Sequence, residues 1–277
     1  MIIDTHHHFW KYNPVEYDWI DDDMKVIRKN FLPEDLKKVI ANSGVDGVVS
    51  VHARQSVEET KVLLKYAGEN EFIKGVVGWL PLADNKFPEI LEEFAIDKNL
   101  KGIRHVVQGE PNPEFILGKD FNRGISILKN YNLVYDILIY EHQLPNAIRF
   151  VDLHPTQQFV LDHIAKPKIK AGEIDAWEKN VTELAKRENV ACKISGMVTE
   201  ADFKHWTHEQ LQPYFDVILE AFSPKRLMFG SDWPVCLVAV QYNNWLDLVK
   251  KQISDFSKDE KDDILYKNAF RIYNLSI

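Results

Sequence analysis

Little in this sequence supports covalent cross-linking, membrane insertion or nucleic-acid binding. Only two cysteines occur, Cys192 and Cys236. Their spacing matches no zinc motif, and no disulfide is expected in a chain that reads as cytoplasmic. No apolar run approaches the ~20 residues that span a bilayer. The first residues carry neither the basic stretch nor the long apolar core of a signal peptide. Basic residues are outnumbered, 34 Lys and Arg against 42 Asp and Glu, for a net charge of −8. Such a surface repels polyphosphates and anionic lipid, which excludes nucleic acid and membrane as expected partners. Also missing are linkers, low-complexity tracts and any glycine-rich turn after the first apolar segment, where an open dinucleotide-binding sheet would carry one.

What is present is regular alternation. Strand candidates occupy Met1–Thr5, Val45–His52, Ile73–Leu80, Leu100–Val107, Leu133–Ile139, Gln158–Ile164, Val190–Ser195 and Arg226–Gly230. Most are near-continuous in Val, Ile, Leu and Phe, the pattern of parallel strands covered on both faces. Amphipathic segments with helix signals lie between them. Pro33 opens one and Gly44 ends it; Ser56 followed by Glu59 forms a capping box for another running to about Asn70. Further helices are expected over 87–97, 114–130, 143–152, 174–188, 209–221, 240–253 and 258–273. Eight β-then-α units in 277 residues predict a single (β/α)8 barrel domain over 1–277, with an open doubly wound sheet as the alternative. The long stretch from Phe9 to Leu32 contains Trp10, Tyr12, Tyr17 and Trp19. It fits a lid or wall at the barrel mouth and equally a packed plug.

A barrel of this type carries its chemistry at the C-terminal ends of the strands. The strands and their ends here are rich in ionisable or hydrogen-bonding groups: Asp4, His6 and His8; His52 and Arg54; Arg104 and His105; Asp136, early in strand five, and Tyr140 and Glu141 beyond it; Asp162, His163 and Lys166; Lys193 and Ser195; Ser231 and Asp232. Alternate strand residues share a face, so His6 and His8 point together and His7 points away. Three adjacent histidines also occur in purification tags, but those run longer and do not interrupt a strand ending in Asp-Thr. Asp232 follows an apolar strand and precedes Trp233-Pro234, which places a carboxylate rigidly at the rim, as general base, metal ligand or turn cap. His163 is the natural third imidazole, or else a buried histidine bonded to a backbone carbonyl. Arg104 fits an electrophilic clamp on a carbonyl, or a salt bridge inside the barrel.

Four segments, in order, resemble the amidohydrolase superfamily: Asp-Thr-His-His-His-Phe-Trp from Asp4, Leu-Asp-His-Ile-Ala-Lys-Pro from Leu161, Cys-Lys-Ile-Ser-Gly from Cys192 and Phe-Gly-Ser-Asp-Trp-Pro-Val-Cys from Phe229. More narrowly, they resemble the amidohydrolase-2 branch of L-fuconolactonase-like and L-rhamnonolactonase-like sugar lactone hydrolases. The resemblance implies a distorted (β/α)8 barrel that opens an aldonolactone to an aldonic acid. It makes His6, His8, His163 and Asp232 catalytic candidates, with Asp232 activating water; Arg104 joins them on its own chemistry, as the carbonyl clamp. Two-metal members carry a bridging lysine or glutamate at the end of strand four and a histidine at the end of strand five. Here strand four has Arg104-His105, and His142 lies beyond strand five, so a binuclear centre is not expected. Two routes remain: one divalent ion, zinc by its ligand set, on His6, His8, His163 and Asp232, or metal-free catalysis by imidazoles and Arg104.

For substrate binding, Trp10, Trp79 and Trp233 offer apolar faces to a sugar ring, with Arg54 and His105 as further candidates. In a regular strand only one of Arg104 and His105 reaches the site. The competing activity is hydrolysis or decarboxylation of a cyclic carboxylated compound such as a pyrone dicarboxylate, with Arg54, Arg104 and Arg123 at the mouth. Behind it stands a non-catalytic sugar-binding protein. Ser231 and Cys236 have no evident paired base, which disfavours a covalent route. The expected partner is a small-molecule substrate, and a homo-oligomer is left open.

Overall fold

The structure, a computed structural model, describes residues 1–276. Eight strands form one parallel sheet in sequential order: β1 Ile3–His7, β2 Gly47–Val51, β3 Ile73–Gly78, β4 Leu100–Val106, β5 Val134–Leu138, β6 Phe159–Leu161, β7 Val190–Ile194 and β8 Leu227–Phe229. Helices α1 Pro33–Ile40, α2 Val57–Glu69, α3 Phe87–Ala95, α4 Lys119–Leu128, α5 Leu144–Leu153, α6 Asp175–Ala185, α7 His208–Phe222 and α8 Tyr242–Gln252 follow the strands. The expected distorted (β/α)8 barrel is the fold that forms.

The distortion lies at the seam. Instead of a ladder between β8 and β1, the segment after β8 crosses back to the first strand. Thr5 Oγ1 donates to the Phe229 carbonyl at 2.7 Å. The Asp232 N–H donates to the His6 carbonyl at 2.8 Å, and the His8 N–H to the Trp233 carbonyl at 2.7 Å. Asp4, buried between them, accepts from the Ser231 and His6 N–H groups and from the Tyr242 hydroxyl. Closing the barrel therefore brings the His6–His8 strand against Asp232.

One end of the barrel interior is apolar. Ile3, Val49, Val51, Val77, Val134, Val160, Ala191 and Met228 form a buried cluster that Ile272, Tyr273 and Leu275 plug from the C-terminal helix. That helix runs as α9 Lys258–Asp262, a π-turn over Asp263–Lys267 and α10 Asn268–Ile272. The helix expected over 114–130 breaks instead at Gly118, whose ψ of 139° is extended.

The largest departure from expectation is at residues 158–164. The strand stops at Leu161, and His163, Ile164, Ala165 and Lys166 adopt φ values of 52°, 50°, 61° and 48°. L-residues resist left-handed backbone by roughly 1–2 kcal/mol each, so no local propensity predicts such a turn. A tertiary contact holds it, the Trp177 indole donating to the Ile164 carbonyl at 2.7 Å, and within the turn the Lys166 N–H donates to the His163 carbonyl at 2.8 Å.

Candidate active site

A cavity of about 490 Å³ lies at the C-terminal ends of the strands. His8, Arg104, His163 and Asp232 border it. Trp19 and Met24 come from the long first loop, Gln108 from the segment after β4, Tyr140 from that after β5, Lys166 from the left-handed turn and Glu200 from the segment after β7.

Three imidazoles converge on one carboxylate oxygen. Asp232 Oδ1 lies 3.5 Å from His8 Nε2, 3.9 Å from His6 Nε2 and 4.0 Å from His163 Nε2. Each far ring nitrogen is already engaged. His8 Nδ1 meets the Val51 carbonyl at 2.8 Å, and since a carbonyl only accepts, Nδ1 carries the hydrogen there. His163 Nδ1 lies 3.0 Å from Ser195 Oγ. His6 Nδ1 lies 3.3 Å from Asp162 Oδ1. Burial drives His6 well below its ordinary pKa and His163 down to about 4, so both rings are neutral at pH 7. Burial also opposes ionisation of Asp232, but His163, His8 and Lys166 outweigh it and hold the carboxyl below its usual value. Neutral imidazoles around an ionised carboxylate are suited to accepting a proton from water or holding a cation.

Beneath this group the barrel holds a buried charge network. Lys193 Nζ donates to Asp136 Oδ2 at 2.6 Å and lies 3.0 Å from Asp162 Oδ1. Arg104 Nη1 donates to Asp162 Oδ2 at 3.0 Å and lies 3.3 Å from His6 Nε2. Its other nitrogens donate to the ring and carbonyl of His52. The Tyr273 hydroxyl donates to Asp136 from the barrel floor. Burial raises the Asp162 pKa, but Lys193, His6 and Arg104 overcome it and hold the carboxyl well below the usual range. Both readings of Arg104 are thus present: it is a buried ion-pair partner and it borders the cavity.

His7 points away from the site, with Nε2 2.9 Å from Ser50 Oγ and its ring against Phe9. None of the five further substrate-binding candidates lines the cavity. Trp10 packs among Tyr17, Trp19 and Phe31 and donates to the Lys29 carbonyl. Trp79 donates to His105 Nδ1 at 3.1 Å, and His105 bonds Glu110 at 2.6 Å on the outer face of β4. Arg54 pairs with Glu16 and Glu59. Trp233 is buried against Phe9 and Phe31. Trp19 and Met24 make the first loop both wall and plug. Trp19 belongs to the loop expected as a wall of the barrel mouth, whereas Glu200 sits in an irregular segment without a periodic signal and carried no expectation. Asp162 and Lys193 stood at strand ends, but the partners that give them meaning lie on other strands.

The donor set fits one divalent cation. Nε2 of His6, Nε2 of His8 and a carboxylate oxygen of Asp232 lie within 4.8 Å of one another and are buried, and His6, Asp162 and His163 form a second such group. With Nδ1 bonded to the Val51 carbonyl, His8 turns Nε2 toward Asp232 Oδ1 at 3.5 Å. Fixing the far nitrogen of a ligand histidine is the arrangement that orients metal ligands.

The family model described as amidohydrolase matches residues 3–275. The L-fucono-1,5-lactonase of Burkholderia multivorans is 36% identical, covering 99% of this chain and 96% of that protein. The L-fucono-1,5-lactonase of Burkholderia ambifaria is 32% identical, covering 99% and 95%. A crystal structure of an amidohydrolase from B. multivorans with bound zinc superposes with a TM-score of 0.95 at 36% identity and covers 100% of both chains. On its fold, on the His6–His8–His163–Asp232 constellation and on these full-length matches, the chain belongs to the amidohydrolase family.

Proposed function

We propose that this protein hydrolyses a sugar lactone of the L-fucono-1,5-lactone type, opening the ring to the free aldonic acid. The observation that carries the reading is the ionised Asp232 ringed by the imidazoles of His6, His8 and His163 at the edge of a cavity of about 490 Å³. Full-length similarity to two L-fucono-1,5-lactonases supports the substrate class.

In this mechanism Asp232 accepts a proton from a water, whose oxygen bonds to the lactone carbonyl carbon. Arg104, fixed by Asp162 and His52, donates toward the oxygen on which negative charge develops. Collapse of the tetrahedral centre breaks the C–O bond to the ring oxygen, and Asp232 returns its proton to that oxygen. His6, His8, His163 and Asp232 are the residues that would hold a zinc ion. Bound there, zinc supplies carbonyl polarisation and a more acidic water. No serine or cysteine nucleophile is required: Ser231 Oγ is spent on the His6 carbonyl, and burial drives the Cys236 thiol well above its ordinary pKa.

The geometry does not favour a dicarboxylated ring as substrate. Of Arg54, Arg104 and Arg123, only Arg104 borders the cavity; Arg54 is paired with two glutamates and Arg123 with Asp120. Both cysteines are free and buried, as suits the cytoplasmic setting we assign, and among the described residues no helix is long and apolar enough to cross a membrane. The test is proton release from L-fucono-1,5-lactone and related aldonolactones, followed with a pH indicator. Wild type should exceed Asp232→Asn by at least a hundredfold. Equal rates for both proteins on every lactone refute the proposal.

A further inference from the structure

The cavity wall beyond the three imidazoles, Arg104 and Asp232 includes Trp19, Gln108, Tyr140, Lys166 and Glu200. Lys166 Nζ faces Glu200 Oε1 at 3.8 Å, and the two side chains are only 19% and 22% exposed. The same ammonium lies 5.6 Å from the centre of the Tyr140 ring. The amide oxygen of Gln108 is buried without a hydrogen-bond partner among the described residues. Orphaned buried polar atoms are rare in folded proteins, and one on a cavity wall points to a ligand donor.

The backbone adds a second argument. Lys166 ends the left-handed turn that begins at His163, with φ 48°. Glycine suits that conformation best, yet the chain carries a lysine there and bears roughly 1–2 kcal/mol of strain at each of the four residues. The same turn delivers His163 to Asp232 and Lys166 to the cavity wall. The Lys166 ammonium therefore enters the same cavity as His163, beside Glu200 and the Tyr140 ring.

We infer that Lys166, Glu200 and Gln108 form the subsite that recognises the hydroxyl groups of a polyhydroxylated lactone, with Lys166 the specificity-determining donor. The inference rests on the lactonase reading above. Sugar hydroxyls both donate and accept; an ammonium only donates, an ionised carboxylate only accepts, and an amide does both. Trp19 and Tyr140 supply apolar faces for the C–H side of the ring. A lactone without hydroxyls reaches the same carbonyl chemistry but finds nothing to bond here.

The test compares kcat/KM for L-fucono-1,5-lactone and for δ-valerolactone, which has the ring and no hydroxyls. In Lys166→Met the preference for the sugar lactone falls tenfold or more, chiefly through KM, as expected for loss of a charged hydrogen bond. Lys166→Arg, which keeps the charge near Asp232, recovers part of that preference. Equal losses on both substrates, or no loss on either, overturn the inference. Calorimetric binding of L-fuconate gives an arm independent of turnover: at least tenfold weaker affinity in Lys166→Met supports it, and unchanged affinity overturns it. Should wild type open neither lactone, the lactonase reading fails, and the calorimetric arm still decides whether this subsite binds a polyol acid.

Discussion

Gly196 is the most telling single position to perturb. Its φ is +66°, and an added Cβ would lie 2.5 Å from Nδ1, 2.7 Å from Cγ and 2.8 Å from Cβ of His163. Alanine there meets two costs. The left-handed conformation costs about 1–2 kcal/mol. Overpacking against the imidazole adds about 1–3 kcal/mol unless the ring moves. The ring cannot yield freely, because His163 sits in the left-handed turn and its Nδ1 is bonded to Ser195. Gly196→Ala should therefore lower stability by about 2–5 kcal/mol, which for a chain of this size is roughly 5–15 °C in Tm. Whatever strain is relieved by moving the ring appears as lost activity, since a displacement near 1 Å can cost about a hundredfold in rate. Gly172 provides the control: its φ is +67°, but an added Cβ meets nothing within 4 Å. Gly172→Ala should cost about 1 kcal/mol and leave lactone hydrolysis intact. Differential scanning calorimetry and the pH-indicator assay on both variants decide the matter. Equal Tm losses with unchanged kcat in both would refute the argument that Gly196 exists to admit the His163 ring.

Three further predictions follow from buried charge and from the donor set. Lys193→Met leaves Asp136 and Asp162 facing each other without their ammonium, and urea denaturation should show a loss of about 3–5 kcal/mol, partly recovered in the double variant with Asp136→Asn. Burial raises the Glu59 carboxyl from 4.5 to about 7 despite Arg54 and two backbone amides. Folding therefore takes up a proton there between pH 4.5 and 7. The contribution is full below pH 4.5 and lost as pH rises through 7, up to about 3 kcal/mol; Glu59→Gln should flatten the dependence of the urea midpoint between pH 5 and 8 relative to wild type. Chelation of purified protein should reduce both lactone hydrolysis and Tm, with zinc restoring both in wild type but not in His8→Ala. Activity and Tm that ignore the chelator would assign catalysis to the imidazoles and Arg104 alone.

The architecture was legible because its signals are local. Near-continuous Val and Ile runs separated by capped amphipathic segments mark eight β/α units, and strand ends differ from the expected ones by a few residues at most, except at β6. The placement of His6 and His8 was equally legible, since strand alternation puts them on one face whatever lies elsewhere. The aromatic and arginine candidates were not. Trp10, Trp79 and Trp233 have the composition of a sugar platform, but Trp10 and Trp233 are buried among neighbouring side chains, Trp79 is half-buried and bonded to His105, and none lines the cavity, whereas Trp19 does so from an irregular loop. Arg54 stands at a strand end as expected, but Glu16 and Glu59 hold it outside the site.

From sequence alone came the parallel barrel, the His-x-His pair and the strand-eight aspartate. Tertiary structure decided what those groups do together. The seam between Thr5 and Phe229 joins residues 224 positions apart, and only that closure sets Asp232 beside His6 and His8. The turn from His163 to Lys166 runs against intrinsic backbone preference, so it exists because Trp177 and the packed barrel stabilise it. Lysine is a residue type usually left in water, and Lys193 is buried because Asp136 on β5 and Asp162 just past β6 supply compensating charge. Periodicity and residue type are properties of a few adjacent residues; compensation of charge and strain requires partners that only the folded chain brings together.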